Sequence, residues 1–198
     1  MKRAFLLTLG GLGLGTLAVS RLVKSTWSFA GKSVLITGGS RGLGLTIARQ
    51  IAAEGGRLAL LARDEDELQG ACAEVRELGG EAFAVPCDLL DRGQSLGAIE
   101  RVVDHYGAID VLINNAGIIE VGPLDNMRRG DFEKAMGLHF WAPFNLTQQV
   151  IPHMRRAGGG RIVNISSIGG KVAVLQLVPY RMSNVALVGP SDASPLAL

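Results

Sequence analysis

Eight residues near the start of the sequence could bind a phosphate group. The segment Thr37-Gly38-Gly39-Ser40-Arg41-Gly42-Leu43-Gly44 follows the strand-like run Ser33 to Ile36 and precedes a helical pattern. Glycines in such a turn let the backbone bend sharply and approach an anion closely. The free N–H groups and the positive dipole end of the following helix then attract that anion. The pattern predicts a site for a nucleotide pyrophosphate, with a plain tight turn as the alternative interpretation.

The elements that must hold this turn alternate along the chain. Leu43, Ile47 and Ile51 recur at helical spacing, which predicts a helix face packed on a sheet. The strand-like apolar runs are Val34–Ile36, Leu58–Ala62, Ala82–Val85, Val111–Ile113 and Ile162–Ile165, and helix-length stretches cover roughly 64–78, 91–106 and 128–157. Short, unalternating strands separated by helices predict an α/β fold, a doubly wound parallel sheet covered on both faces. Its ligand crevice should lie at the carboxyl ends of the strands.

Composition narrows the classes of function. The 198 residues are 47% hydrophobic, enough for a substantial core, and the formal net charge is +2. Because the sequence has no basic stripe, no nucleic-acid partner is expected. Cys72 and Cys87 lack metal-ligand spacing and are predicted to be buried or half-buried thiols in a reducing compartment. No metal site is predicted.

Motifs later in the chain extend the glycine turn into a family pattern. Cys87-Asp88, Asn114-Asn115-Ala116-Gly117, Ser167 and Tyr180 follow Thr37-Gly38-x-x-x-Gly42-x-Gly44 in order. Over residues 31 to 190 this spacing closely resembles the short-chain dehydrogenase/reductase family. The resemblance implies a Rossmann-like α/β/α domain over residues 25–198 and hydride transfer between NAD(P)(H) and a small-molecule carbonyl or alcohol substrate. It also implies a homo-oligomer.

The resemblance assigns residues to the cofactor. Asp88 would bind the adenine ring, and the alternative for Asp88 is an N-cap of the helix predicted over 91–106. Asn115 braces the sheet in that family as often as it serves function directly. The remaining cofactor-binding residues that the resemblance implies are Thr37, Gly38, Ser40, Gly42, Leu43, Gly44, Leu89, Ala116 and Gly117.

The end of the second strand bears on cofactor choice. NAD enzymes commonly place an acid there to bind the ribose 2′-hydroxyl. In this sequence the position falls on Ala62, followed by Arg63, and Arg41 lies inside the glycine turn. Two cations favour a 2′-phosphate, so NADP(H) is predicted over NAD(H). The neighbouring acid Asp64 weakens that inference.

By the same resemblance, Tyr180 would exchange a proton with the substrate oxygen and Ser167 would hydrogen-bond that oxygen. A strand-end cap at Ser167 and a half-buried aromatic at Tyr180 are the structural alternatives. The family carries a lysine one helical turn after the tyrosine, where this chain has Asn184. Asn184 can bind a ribose hydroxyl but cannot stabilise a tyrosinate by charge. Arg181 is adjacent to Tyr180, so it should point elsewhere.

A second departure lies before the fifth strand. His139 occupies the position where the family usually has an asparagine that holds a water in a proton relay. His139 could take over that relay near neutral pH, or it could be an inert histidine with its hydrogen bonds satisfied.

The third departure is the end of the sequence. Pro190 and Pro195 are expected to interrupt the last helix, and the sequence ends at Leu198. We therefore expect the last strands and the substrate lid of the family to be missing, the fifth strand to be an edge, and oligomerisation to be in doubt. Three hypotheses follow: an NADP(H)-dependent oxidoreductase, a nucleotide-binding protein without turnover, or a truncated fragment.

Residues 1–24 form a separate segment. Lys2 and Arg3 precede an uncharged stretch over residues 4–20, at the lower limit for a membrane-spanning helix of ~20 residues. The interpretations are a membrane anchor with a cytoplasm-facing domain, a signal peptide cleaved after Ala18-Val19-Ser20, or a disordered tail. The anchor is favoured because reduced nicotinamide cofactors are supplied in the cytosol. The flanking charges do not decide the orientation of the anchor.

Overall fold

A parallel five-stranded sheet forms the centre of the protein. The computed structural model describes residues 27–193. The strands are β1 (Ser33–Thr37), β2 (Arg57–Ala62), β3 (Glu81–Pro86), β4 (Val111–Asn114) and β5 (Arg161–Asn164). Their order is β3-β2-β1-β4-β5, and every pairing is parallel. The chain thus winds outward in both directions from β1, which confirms the predicted doubly wound sheet.

Helices cover both faces of this sheet. They are α1 (Gly42–Ala53), α2 (Glu65–Glu77), α3 (Arg92–Tyr106), α4 (Arg129–Met136), α5 (Ala142–Arg156) and α6 (Val178–Ala193). Successive residues of a strand point to opposite faces. Val34 and Ile36 accordingly belong to one apolar cluster and Leu35 to the other. Both faces of β1 are therefore buried, which is why its sequence shows no polar alternation.

The buried face of α1 differs from the predicted one. Gly44, Ala48, Ile51 and Ala52 are buried, whereas Leu43 is 55% exposed. Small residues on this face let the helix backbone approach the sheet closely. The prediction that Leu43 belongs to the packed face was therefore wrong, and its side chain lines the cleft described below.

The stretch predicted as one helix over 128–157 contains a change of helical type. A π-helical segment, Gly137–Trp141, separates α4 from α5. Pro143, in the first turn of α5, cannot donate to the carbonyl of His139, and its ring conflicts with that carbonyl. The wider π turn avoids this conflict, and such turns are frequent at functional sites.

The expected interruption at Pro190 does not occur. Helix α6 continues past Pro190 to Ala193. A proline removes one hydrogen-bond donor and strains the preceding turn, but the helix can continue beyond it. Pro152 inside α5 is a second example in this protein. Pro195 lies outside the described residues.

Two further expectations concern the periphery. Among the described residues β5 pairs with β4 alone, and Val163 in β5 is 41% exposed, so β5 is an edge strand as expected. The predictions for residues 1–24 lie outside the described part of the chain. Between residues 27 and 193, no helix has both the length and the apolar character needed to cross a membrane.

Candidate active site

A cleft of about 920 Å³ lies at the carboxyl ends of the strands. Its walls come from the segments that follow all five strands, from α4 and the π-helical segment after it, and from the start of α6. It brings together most of the predicted site residues: Gly38, Ser40, Arg41, Leu43, Arg63, Asp88, Leu89, Asn115, Ala116, Gly117, His139, Ser167, Tyr180 and Asn184. Such a crevice beside the strand where the winding direction reverses is the usual ligand site of this sheet type.

The glycine turn forms a tight backbone cradle in the cleft at the carboxyl end of β1, the central strand. Gly38 and Gly42 have φ angles of +65° and +57°, which side-chain-bearing residues rarely adopt. A Cβ on Gly44 would overlap the carbonyl oxygen of Gly38 and lie 2.7 Å from Asn115 Nδ2. No side chain caps the start of α1 at Arg41. The N–H groups of its first turn can therefore serve a bound phosphate, and the cradle fits a pyrophosphate.

Thr37 and Asn115 join the ends of β1 and β4. The Thr37 hydroxyl oxygen accepts hydrogen bonds from the backbone N–H groups of Asn115 and Ala116, each at 2.9 Å. The Asn115 amide donates to the carbonyls of Thr37, at 2.9 Å, and Gly38, at 3.2 Å. Asn115 thus braces the sheet. Thr37 and Gly44 are buried behind the cleft surface and shape it without lining it, and Gly42 is exposed but does not line the cleft either.

The segment after β3 places Asp88 and Leu89 in the cleft wall. Helix α3 is capped by Asp91, whose carboxylate accepts from the N–H groups of Gly93 and Gln94. These hydrogen bonds, with the Gln94 side chain, lower the pKa of Asp91. The alternative of Asp88 as the helix cap is therefore wrong. The Asp88 carboxylate instead accepts from the Leu90 N–H at 3.0 Å.

Both cysteines are buried, as predicted. Burial raises the pKa of the Cys72 and Cys87 thiols, so each remains a neutral, weakly nucleophilic group at neutral pH. Cys87 lines the cleft only as part of its apolar wall.

Sequence reasoning missed Glu67, in the first turn of α2. Its carboxylate accepts from Ser40 Oγ and from Arg41 Nη1, each at 3.0 Å. Asp64 caps α2 by accepting from the Glu67 N–H at 2.9 Å. An acid three residues after a capping acid, at the start of a helix that follows β2, was the signal in the sequence. The cleft end beside β2 therefore holds Arg41 and Arg63 together with two carboxylates.

Ser167 and Tyr180 meet on the β5 side of the cleft. A Cβ on Gly169 would lie 3.3 Å from Tyr180 Cε1 and 3.7 Å from Ser167 Oγ, so both side chains flank this glycine. Ser167 also caps the short turn Ile168–Gly170, because its oxygen accepts from the Gly169 N–H at 3.2 Å. Tyr180 is half-buried in the first turn of α6. Ser167 is therefore a cap and Tyr180 a half-buried aromatic, as their structural alternatives stated, and both side chains also line the cleft.

Asn184 lies one turn after Tyr180 and is 3% exposed. Its Nδ2 donates to the Tyr180 carbonyl at 2.9 Å, and its Oδ1 accepts from Ser166 Oγ at 3.2 Å. The amide is thus held by the protein and brings no positive charge to the tyrosine.

His139 links the loop after β4 to α6. Its Nε2 accepts from the Ile118 N–H at 3.0 Å, which places the ring proton on Nδ1, 2.7 Å from Ser183 Oγ. The ring contacts Tyr180 edge to face at 5.4 Å between centroids. Burial lowers the pKa of His139, which favours the neutral form. With both nitrogens in use, the geometry matches the inert alternative better than a proton relay.

Comparison with known proteins agrees with this architecture. The family model described as short chain dehydrogenase matches residues 32–194. The ketoacyl reductase HetN of Nostoc sp. is 37% identical over 166 residues, which cover 84% of this chain and 58% of that protein. The chain thus spans less than two thirds of the length of this curated relative.

Solved structures share the fold. A metagenomic short-chain oxidoreductase in complex with NADP is 34% identical, with a TM-score of 0.80, and the match covers 84% of this chain and 76% of the other. An NAD⁺-bound xylitol dehydrogenase is 32% identical, also with a TM-score of 0.80, over 83% and 64% of the two chains. Proteins of this fold therefore bind either cofactor.

Proposed function

The chain belongs to the short-chain dehydrogenase family, and from this membership we propose that it is an NADP(H)-dependent oxidoreductase acting on a small carbonyl or alcohol substrate. One observation carries the proposal. A backbone cradle that fits a pyrophosphate, after β1, and the pair of Ser167 and Tyr180, beyond β5, line a single cleft. A dinucleotide held by the cradle would extend along the cleft toward that pair.

Several residues would hold the cofactor. The first turn of α1 would bind the pyrophosphate and Asp88 the adenine ring. Gly117, in the loop after β4, lines the cleft and leaves room for the His139 ring, since a Cβ there would lie 2.9 Å from His139 Nε2. Arg41 and Arg63 line the end where a 2′-phosphate would lie, and Ala62 leaves the end of β2 without a carboxylate. When bound, the nicotinamide supplies or accepts the hydride.

The protein's own groups handle the proton and the substrate oxygen. In the direction of reduction, the Tyr180 hydroxyl would give its proton to that oxygen, and in oxidation it would take the proton back. The Ser167 hydroxyl would donate a hydrogen bond to the same oxygen and fix its position. His139 packs its ring against Tyr180 and would hold the aromatic side chain in place.

A second candidate function is nucleotide binding without turnover. It is favoured by Asn184, a neutral and hydrogen-bonded amide where the family carries an ammonium group. Without that charge, the tyrosinate form of Tyr180 is less stabilised. The residues proposed to bind the pyrophosphate and the adenine ring make no use of Asn184.

The experiment is a titration of the full chain with NADPH and with NADH, followed by carbonyl reduction assays on ketones and ketoacyl thioesters. We expect saturable binding that is stronger for NADPH. We also expect turnover that falls about a hundredfold or more in Tyr180→Phe while its cofactor affinity is unchanged.

Two results would redirect the proposal. Cofactor binding with no turnover on any carbonyl would favour the second candidate function. The absence of binding by a folded sample would contradict both functions.

A further inference from the structure

Four charged side chains line the cleft beside the end of β2, and their formal charges cancel. They are Arg41, Arg63, Asp64 and Glu67. A 2′-phosphate arriving here would meet two cations but also two carboxylates. How these carboxylates are used decides how strongly the site favours a phosphorylated ribose.

The two carboxylates differ in what they hold. Asp64 accepts the Glu67 N–H and serves the start of α2. Glu67 instead reaches across to the glycine turn, where it accepts from Ser40 Oγ and Arg41 Nη1. Ser40 is 9% exposed, whereas the Arg41 side chain is 78% exposed. The buried serine therefore holds the carboxylate in place, while the exposed Arg41 side chain would have to leave its pairing with Glu67 to turn toward a ligand.

We propose that Glu67 is a specificity-determining residue that limits the preference for NADP(H) and lets the site accept NAD(H). This inference rests on the proposed function. A 2′-phosphate near Arg41 is repelled by the adjacent Glu67 carboxylate and must compete with it for the guanidinium. A ribose 2′-hydroxyl can instead donate a hydrogen bond to that carboxylate. The carboxylate that NAD enzymes commonly place at the end of β2 is supplied here from α2, five residues after Ala62.

The test measures nucleotide binding, so it does not depend on the reacting end of the cleft. The full chain and the variant Glu67→Gln are titrated with NADPH and NADH, and with adenosine 2′,5′-bisphosphate and adenosine 5′-monophosphate. The matched control is Glu65→Gln. Glu65 is an exposed acid in the same turn of α2 and does not line the cleft. A thermal unfolding curve for each variant verifies folding.

We expect Glu67→Gln to bind NADPH and the bisphosphate about threefold more tightly or better, because one like charge is removed. Its affinity for NADH should stay the same or fall. Glu65→Gln should change the ratio of the two affinities much less.

Other results overturn the inference. If Glu67→Gln shifts the NADPH-to-NADH ratio no more than Glu65→Gln does, Glu67 is only a brace between α2 and the glycine turn. If Glu67→Gln weakens NADPH binding, Glu67 orients Arg41 for the phosphate, and the sign of the proposal is wrong. If no variant binds any nucleotide, the proposed function itself fails, and this inference fails with it.

Discussion

At the residue scale, the reacting end of the cleft is defined by what surrounds Tyr180. Ser167 shares Gly169 with it, His139 packs on its ring, and Asn184 binds its backbone carbonyl. The resemblance to the short-chain dehydrogenase family, applied to the sequence, had singled out these four positions. It could not predict their hydrogen bonds, because the partners Ile118, Ser166 and Ser183 come from distant segments. For the same reason it missed Glu67, whose role depends on contacts between α2 and the glycine turn.

Replacing Asn184 with lysine tests whether the missing charge limits turnover. Asn184→Lys should raise turnover about tenfold or more, because an ammonium one helical turn from Tyr180 stabilises the tyrosinate. Steady-state carbonyl reduction with NADPH measures the effect.

The control for that substitution is Asn184→Met, which has a long side chain without charge. It should lose the hydrogen bonds to Ser166 and Tyr180 without a gain in turnover. A folded, cofactor-bound Asn184→Lys protein with unchanged turnover would show that one lost charge does not explain low activity.

His139 predicts a pH dependence of stability. Burial lowers its pKa in the folded protein below the value of about 6.5 in the unfolded chain. The contribution of neutral His139 to the free energy of unfolding is therefore complete above pH ~6.5 and is lost as the pH falls through the folded pKa. When His139 is protonated in both the folded and the unfolded state, the free energy of unfolding is lower by about 1.4 kcal/mol for each unit that separates the two pKa values. Unfolding midpoints determined at several pH values from about 5 to about 8 measure this pH dependence.

His139→Asn removes this titrating group and should flatten the pH dependence. His105→Asn is the matched control, since His105 is an exposed histidine on α3 that stacks on Phe83. An equal flattening in both variants would mean that the acid sensitivity does not come from His139.

At the scale of elements, the glycine turn and α1 are built around close backbone approach. The order strand, glycine turn, helix was predictable because each glycine signals backbone freedom. The helix face was not predictable, because Gly44 and Ala48 look indifferent in a sequence while Leu43 looks like a core residue. The π segment and the continuous α6 were missed for a related reason: a proline restricts its own turn, and tertiary packing decides how the helix responds.

Two glycine substitutions separate close approach from helix propensity. Gly44→Ala should lower the free energy of unfolding by about 1–3 kcal/mol and weaken NADPH binding, because the new Cβ overlaps the Gly38 carbonyl. Gly70→Ala, in the interior of α2 with open space around its Cβ, should raise stability by about 0.5–1 kcal/mol. Denaturant unfolding compares the two, and a neutral Gly44→Ala would contradict the close packing described here.

At the scale of the whole molecule, the alternation of strands and helices in the sequence was sufficient to predict most of the fold. Continuous apolar runs such as Leu58–Ala62 predicted a sheet buried on both faces, and right-handed crossovers then leave few arrangements. The carboxyl-end crevice followed from that topology. The charge balance at its β2 end did not, because it depends on how side chains from different elements meet.

The described chain begins at the end of the sheet opposite the cleft. The central carbon of the Arg161 guanidinium lies 4.3 Å from the centroid of the Trp27 ring. Both residues line a depression together with Lys32 and Asp110. These residues are at or next to the amino ends of β5, β1 and β4, whereas the cleft opens at the carboxyl ends. A spectroscopic label attached at Trp27 would therefore report on the base of the domain and not on the mouth of the cleft.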